Sequence, residues 1–253
     1  MKLGAQLYTL RKDTQSAEGL LASLYAVKEL GYKAVQLSGQ GVGISDEEIA
    51  GFLKETGLVC AATHFGFEKL KGDFAGVVKA HGLWGCGYVG LGSMPEEYRR
   101  SEEGFVAFAK EASELAGRFK AEGLCFIYHN HQFEFQRFGQ KTGFELLMEN
   151  SCEALQFEID TFWMQVGGGD VPALIERAAG RSDVIHYKDL VIDGESKQCM
   201  AEIGQGNLNW EAILRASERA GVKWVLVEQD ECRRPPIESL GISLEFLNGK
   251  GIF

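Results

Sequence analysis

Eight short apolar runs punctuate this chain, each followed by a stretch with helical spacing, and that alternation limits the available folds more than any other feature. The runs are LGAQLY (3–8), AVQL (34–37), LVCAATH (58–64), YVGLG (88–92), LCFIYHN (124–130), ALQFEID (154–160), DVIHYKD (183–189) and WVLVEQD (224–230). Helical patterns follow around Leu20, Leu21, Leu24 and Val27, then over 46–56, 74–81, 102–121, 143–149, 171–179, 209–220 and 238–247. Strands this short and continuously apolar suit a parallel sheet buried on both faces. Eight such units in 253 residues predict a single (β/α)8 TIM barrel spanning 1–253, with its active site on the loops after the strand C-termini. A doubly wound sheet in two lobes is the competing arrangement. Gly31, Gly57, Gly123 and Gly221 stand between a helix and the next strand, where a left-handed C-cap is wanted. Asp46, Asp170 and Asn209 are expected N-caps.

Composition narrows the class. With 45% hydrophobic residues and four prolines, the chain can bury one large core, and no linker marks a second domain. No long apolar stretch suggests a signal peptide or membrane span, so the cytoplasm is the expected location. The six cysteines (60, 86, 125, 152, 199 and 232) lack CxxC spacing and read as reduced packing residues. A formal net charge of −10 disfavours a polyanionic partner such as nucleic acid.

Four of the five histidines, His64, His129, His131 and His186, lie where an apolar run gives way to a loop, as do Asp160 and Glu228. Alternate residues of a barrel strand face inward. By that parity Glu158 and Asp160 share a face, as do His186 and Lys188, and Glu228 and Asp230. A buried charge without a partner is costly, so these pairs need a metal, an ion pair or a substrate. Gln6 and Gln36 add polar groups from the first two strands. Imidazoles with carboxylates make a ligand set for Mn, Zn, Co or Mg.

The motifs YHNHQFEF, FEIDTFWMQVGGGD, IHYKD, EIGQGNLNW and VLVEQDEC resemble, in that order, the xylose-isomerase-like TIM-barrel proteins often described as sugar phosphate isomerases/epimerases. The likeness runs from the first strand to the last helix. It implies a Glu-Asp-His-Glu metal site on strands five to eight, in which Asp160, His186 and Glu228 match the last three ligands. The first Glu has no counterpart, because Cys125–Tyr128 contains no carboxylate. Glu134 is the nearest acid and is expected as fourth ligand, with His131 as substitute. This departure is similar to the YHNH-type branch, which includes inosose dehydratases and proteins acting on 3-keto-sugars and 3-keto-glycosides.

The resemblance implies a divalent-metal enzyme acting on a small carbohydrate through an enediolate. An isomerase or epimerase is the first expectation, and a dehydratase or lyase the second. Catalytic roles are expected for Glu228, Glu134, His131 and Lys188, with HNHQFE supplying the proton-transfer group that complements Glu228. Gln6, Gln36, His64, His129, Trp163 and Lys188 are expected around an unphosphorylated substrate. Blander readings stand beside these. Asp160, His186 and Glu228 could form a buried ion-pair network, Lys188 could neutralise Glu158 or Asp189, and Glu158 reads as structural. GGGD (167–170) lacks the rest of a phosphate-binding motif. A non-catalytic carbohydrate-binding protein remains a separate class. A nuclease of the endonuclease-IV type is opposed by the acidic charge and the few histidines. Self-association into a homo-oligomer is left open.

Overall fold

The apolar runs become strands close to their expected limits, and hydrogen bonding closes them on themselves. The computed structural model describes residues 1–252. Its strands are β1 (Lys2–Gln6), β2 (Ala34–Leu37), β3 (Val59–Phe65), β4 (Tyr88–Leu91), β5 (Cys125–His129), the hairpin β6 (Arg137–Phe138) and β7 (Lys141–Thr142), β8 (Leu155–Asp160), β9 (Val184–Tyr187), the hairpin β10 (Asp189–Ile192) and β11 (Gln198–Ala201), and β12 (Trp224–Val227). The closed barrel runs β1-β12-β9-β8-β5-β4-β3-β2, all parallel, which is a single (β/α)8 TIM barrel and rules out the two-lobed alternative. Helices α1 (Ala17–Leu30), α2 (Asp46–Thr56), α3 (Phe67–Gly72), α4 (Phe74–Trp84), α5 (Glu102–Ala121), α6 (Gly143–Asn150), α7 (Thr161–Val166), α8 (Val171–Arg177), α9 (Trp210–Ala220) and α10 (Pro236–Gly249) alternate with the barrel strands. The two hairpins and the short α3 and α7 went unread in the sequence, being too brief to show a period. Among the described residues no helix is long and apolar enough to cross a membrane.

Strand parity divides the core in two. Outward residues such as Val35, Phe126, Phe157, Ile185 and Val225 pack beneath the helices in one large cluster. Inside the barrel, Ala34, Ala61, Ala62, Ile127, Val184 and Leu226 form a separate small plug, underlain by Tyr88, Cys125 and Trp224. The register between β2 and β3 slips by one residue between Val35 and Gln36, leaving Ala61 without an opposite number. Above the plug the inward positions turn polar, and Gln6 pairs in register with Gln36, His129 with Glu158, and Asp160 with His186.

Local signals act largely as expected. Gly31, Gly57 and Gly221 cap their helices at φ 117°, 72° and 77°, and Gly123 has φ 77° one residue past its cap. Asp170 and Asn209 cap α8 and α9. Asp46 does not cap α2. Ser45 does, because its hydroxyl accepts from the Glu48 N–H while the Glu48 carboxylate accepts from the Ser45 N–H, a reciprocal box that Asp46 cannot make. The six cysteines are unpaired.

The EIGQGNLNW motif is explained by one buried carboxylate. Asp189 accepts hydrogen bonds from the N–H groups of Leu190 (2.7 Å), Gly204 (2.9 Å), Gly206 (3.0 Å) and Leu208 (3.3 Å), and from Trp210 Nε1 (2.6 Å). A side chain at Gly206 would collide with Asp189 and the Leu190 carbonyl, so only glycine lets the loop close this tightly. Asp189→Ala should therefore cost about 3 kcal/mol or more in urea denaturation, since each stranded buried donor costs roughly 1–3 kcal/mol. A loss below about 1 kcal/mol would mean that the loop holds itself.

Candidate metal centre and active-site cavity

Four donor groups converge at the C-terminal mouth of the barrel. His129, Asp160, His186 and Glu228, all buried, each offer one atom, and these atoms lie within 4.8 Å of one another. Asp160 divides its carboxylate. Oδ1 caps α7 by accepting from the Trp163 N–H (2.8 Å), while Oδ2 lies 3.3 Å from His129 Nε2 and 3.9 Å from His186 Nδ1. Asn130 Oδ1 holds the Asp160 N–H at 3.0 Å. His186 has its ring fixed from the far side, with Nε2 2.7 Å from Gln36 Oε1. Glu158 Oε1 is 3.0 Å from the same nitrogen but off the line of a hydrogen bond, so Gln36 is the partner that orients the ring. Nδ1 faces the cluster, 3.0 Å from Glu228 Oε2.

The cluster has atoms left over. His186 Nδ1 is buried without a hydrogen-bond partner, as are Glu158 Oε1, Gln6 Nε2, Gln36 Nε2 and His131 Nδ1 around it, while Glu228 Oε2 makes no aligned hydrogen bond but is ion-paired to Lys188 Nζ at 2.8 Å. Buried polar atoms normally find partners. Two imidazole nitrogens and two carboxylates, with His186 Nδ1 facing Glu228 Oε2 without a hydrogen bond between them, fit a divalent cation with mixed N/O preference. The charges point the same way. Glu158, Asp160, Glu228 and Asp230 share the mouth with Lys188, whose Nζ lies 3.1 Å from Asp160, 2.8 Å from Glu228 and 3.1 Å from Asp230. Burial opposes ionisation of Asp160 and Glu228, but Lys188 and the imidazoles more than offset it and hold both below the usual carboxylate range. Burial likewise pulls the His186 pKa down, yet Glu158 and Glu228 beside it drive it up to about 10. Lys188 alone does not balance four carboxylates, and a protonated His186 or a divalent cation would each supply further positive charge there.

Above the centre opens a cavity of about 630 Å³ lined by His64, His129, His131, Trp163, Lys188 and Glu228, all anticipated, and by several residues that were not. Tyr8, Arg11, Ser38, Phe65, Ser93, Asp230 and Glu231 belong to that wall. Phe65 ends β3 and Asp230 is inward-facing by parity, while Tyr8, Arg11, Ser38, Ser93 and Glu231 sit just beyond the strands, where parity no longer says which way a side chain points. Arg11 rests 4.6 Å above the Tyr8 ring and donates from Nη1 to the Tyr8 carbonyl at 3.1 Å. Gln6 and Gln36 lie below the cavity in the barrel interior, with Gln6 Oε1 accepting from the Tyr8 N–H at 3.1 Å. Trp163 places its ring 5.4 Å from Lys188 Nζ and 5.5 Å from the His131 ring. Lys188 pairs with neither Glu158 nor Asp189. Its backbone is clamped instead by Thr161 Oγ1, 2.9 Å from its N–H and 2.8 Å from its carbonyl. In GGGD, Gly167 and Gly169 lie against Phe135 and Leu174, and Asp170 caps α8 with its own carboxylate.

The fourth member of the cluster is His129, the first residue of the segment 129–134 expected to supply a fourth ligand, rather than Glu134 or His131 within it. Glu134 is fully buried away from the cluster, accepting from the Tyr128 hydroxyl and from the His131 N–H at 2.9 Å. It thereby shapes the turn that follows β5. The His131 ring lies edge-on to His129 at 4.8 Å and stacks on Phe133, and burial pushes its pKa down to about 2, so it stays neutral. Burial also pushes the Glu134 pKa up, to about 8 from 4.5. A raised folded-state pKa gives stability that is complete below pH 4.5 and is lost as the pH climbs through about 8. Urea denaturation across that window should show wild-type stability falling relative to Glu134→Gln. A constant difference would mean that the carboxylate is already ionised in the fold.

The xylose isomerase-like TIM barrel family model matches residues 24–250. No curated protein matches the sequence. Among solved structures, a sugar phosphate isomerase/epimerase from Parabacteroides distasonis ATCC 8503 superposes with TM-score 0.80 at 20% identity, over 97% of this chain and 93% of its own. The probable 3-DHS dehydratase AsbF from Bacillus anthracis gives 0.75 at 13%, over 98% and 99%. The IOLI protein, solved with a zinc atom bound, gives 0.70 at 15%, over 98% and 97%. At such identities these likenesses establish the fold, whereas the family model spans most of the chain: the protein belongs to the xylose isomerase-like TIM barrel family.

Proposed function

We propose that this protein is a divalent-metal-dependent isomerase or epimerase acting on an unphosphorylated keto-sugar or polyol through an enediolate. The observation that carries this reading is the convergence of His129, Asp160, His186 and Glu228, with unmatched donor atoms, on the floor of a cavity at the strand C-termini. Those four residues would hold the ion. A bound divalent cation polarises a carbonyl and stabilises the oxyanion that forms when the neighbouring C–H proton leaves.

The chain's own groups account for the rest. Glu228 belongs both to the donor cluster and to the cavity wall, so its carboxylate can take the proton from the carbon next to the carbonyl. Lys188, fixed through Thr161, keeps a positive charge beside the developing oxyanion. Trp163 and Phe65 supply apolar walls, and His131 a neutral imidazole for a hydroxyl. A dehydratase or lyase is the second reading. The observation favouring it is His129 at the end of β5, where a carboxylate would otherwise face Glu228 and complete a two-carboxylate proton relay.

The purified protein should carry one divalent ion per chain by elemental analysis. Chelation should abolish exchange of a keto-sugar α-proton with solvent deuterium, and Mn, Co, Zn or Mg should restore it. Glu228→Gln should lower that exchange by roughly 10²-fold or more and weaken metal retention. Full exchange after complete metal removal would end the metal-dependent reading. On substrate, Glu228, Asp230 and Glu231 line the same cavity as Arg11, and Lys188 is already matched by carboxylates, so a phosphate dianion meets repulsion. In direct competition a keto-sugar should be turned over in preference to its phosphate ester. A tenfold preference for the ester would overturn this and make Arg11 its anchor.

A further inference from the structure

We propose that His64, carried by the buried carboxylate of Glu158, is the second proton-transfer group of this site, an assignment that rests on the enediolate reading above. With Glu134 turned into the core, HNHQFE brings no carboxylate to the cavity to complement Glu228. His64 stands in the cavity wall with its side chain 11% exposed, while Glu158 is fully buried and bonded to His64 Nε2. With Nε2 held, Nδ1 is the nitrogen left for a ligand. It lies over Gly92, another cavity residue, where a Cβ would come within 3.1 Å of it. Gly90 completes the seat, since a side chain there would strike the ring and the Thr63 carbonyl. Two bare positions, one on β4 and one just past it, thus keep one edge of the imidazole open.

A carboxylate bound to one imidazole nitrogen orients the ring and stabilises the imidazolium that forms when the other nitrogen takes a proton. Here the carboxylate comes from β8 and the imidazole from β3, across the barrel interior. Glu228 directly follows β12, three strands around the ring from β3, so the two groups approach a bound substrate from different sides. In the first half-reaction the C–H bond breaks, its proton goes to a Glu228 oxygen, and its electron pair becomes the C=C bond of the enediolate. In the second, the Nδ1–H bond of protonated His64 breaks. Its proton forms a C–H bond at the adjacent carbon or the opposite face, or an O–H bond on an oxygen leaving as its C–O bond breaks. Solvent removes the proton from Glu228 and returns one to His64, so protons balance over the cycle. Glu158 acts as a positioning residue.

The test uses the metal-loaded protein, the keto-sugar that shows α-proton exchange, and the variants His64→Ala and His64→Gln. The glutamine keeps an N–H for Glu158 but cannot relay a proton, which guards against a folding defect in the alanine. Three readouts are taken: metal per chain, calorimetric affinity for a hydroxamate mimic of the enediolate, and the ratio of deuterium exchange to product formation. Both variants should keep the wild-type metal content, mimic affinity within a few-fold, and α-proton exchange. Product formation should fall by roughly 10²-fold. Added imidazole should restore it in His64→Ala alone. Undiminished product formation in either variant, absence of imidazole rescue, or loss of a metal ion with His64 would each overturn the assignment, the last by making His64 a ligand. No exchange by the wild-type protein on any keto-sugar would instead reject the enediolate reading and take this assignment with it.

Discussion

Four carboxylates crowded into one water-poor barrel mouth set the terms for the rest of this molecule. Removing a carboxylate from water costs several kcal/mol unless charge and hydrogen bonds replace the solvent. Glu158 is answered by His64, Asp160 by the first turn of α7 and by Lys188, and Glu228 by Lys188 and the His186 ring. Asp230 is answered least, and burial lifts its pKa to about 6 despite the contact with Lys188. The Thr161 clamp on Lys188 and the Asn130 bond to the Asp160 N–H position these charges. So does the loop gathered by Asp189, the residue after Lys188. Removing one member strands the others, so stability and chemistry draw on the same contacts.

The barrel was legible because its signal is repeated eight times and each repeat is short, apolar and followed by a helix. Asp160, His186, Lys188 and Glu228 were legible for a related reason. A strand buried on both faces has no use for charge, so each polar residue near its C-terminal end stands out. Glu134 misled because proximity in sequence was taken for proximity in space. The 3-10 turn Phe133–Phe135 carries its carboxylate back under Tyr128, and no period in the sequence announces a single turn. His129 was weighed as a substrate contact because the resemblance implies a carboxylate from that strand. Arg11 and Tyr8 were missed because the turn after β1 has neither strand nor helix parity.

One fold can host several reactions here because the costly arrangement, the gathered charge, is common to all of them, while the outcome depends on where the second proton goes. The donor cluster is made of strand residues and a helix cap. Much of the cavity wall beyond it, Ser38, Ser93 and Glu231 among its residues, lies outside the barrel strands. Substrate choice can therefore change without disturbing the centre.

The slipped register beside Gln36 has an arithmetic consequence. Along an unbroken strand that starts with Cys60 facing out, Thr63 would face in and His64 out. The unmatched Ala61 reverses that count, and Thr63 meets His81 of α4 outside the barrel, 2.9 Å from its Nε2, while His64 meets Glu158 inside. Both Ala61 and Ala62 join the interior plug, which residues with larger side chains could not do side by side. Removing Ala61 would make the ladder regular, with Cys60 still opposite Val35 and Ala62 opposite Gln36, and would leave His64 facing in, whereas regular pairing with Ala61 retained would put Thr63 at the cavity wall in its place. Which group reaches the cavity wall from β3 is therefore set by a two-against-one step in the pairing with β2, several residues before the group itself.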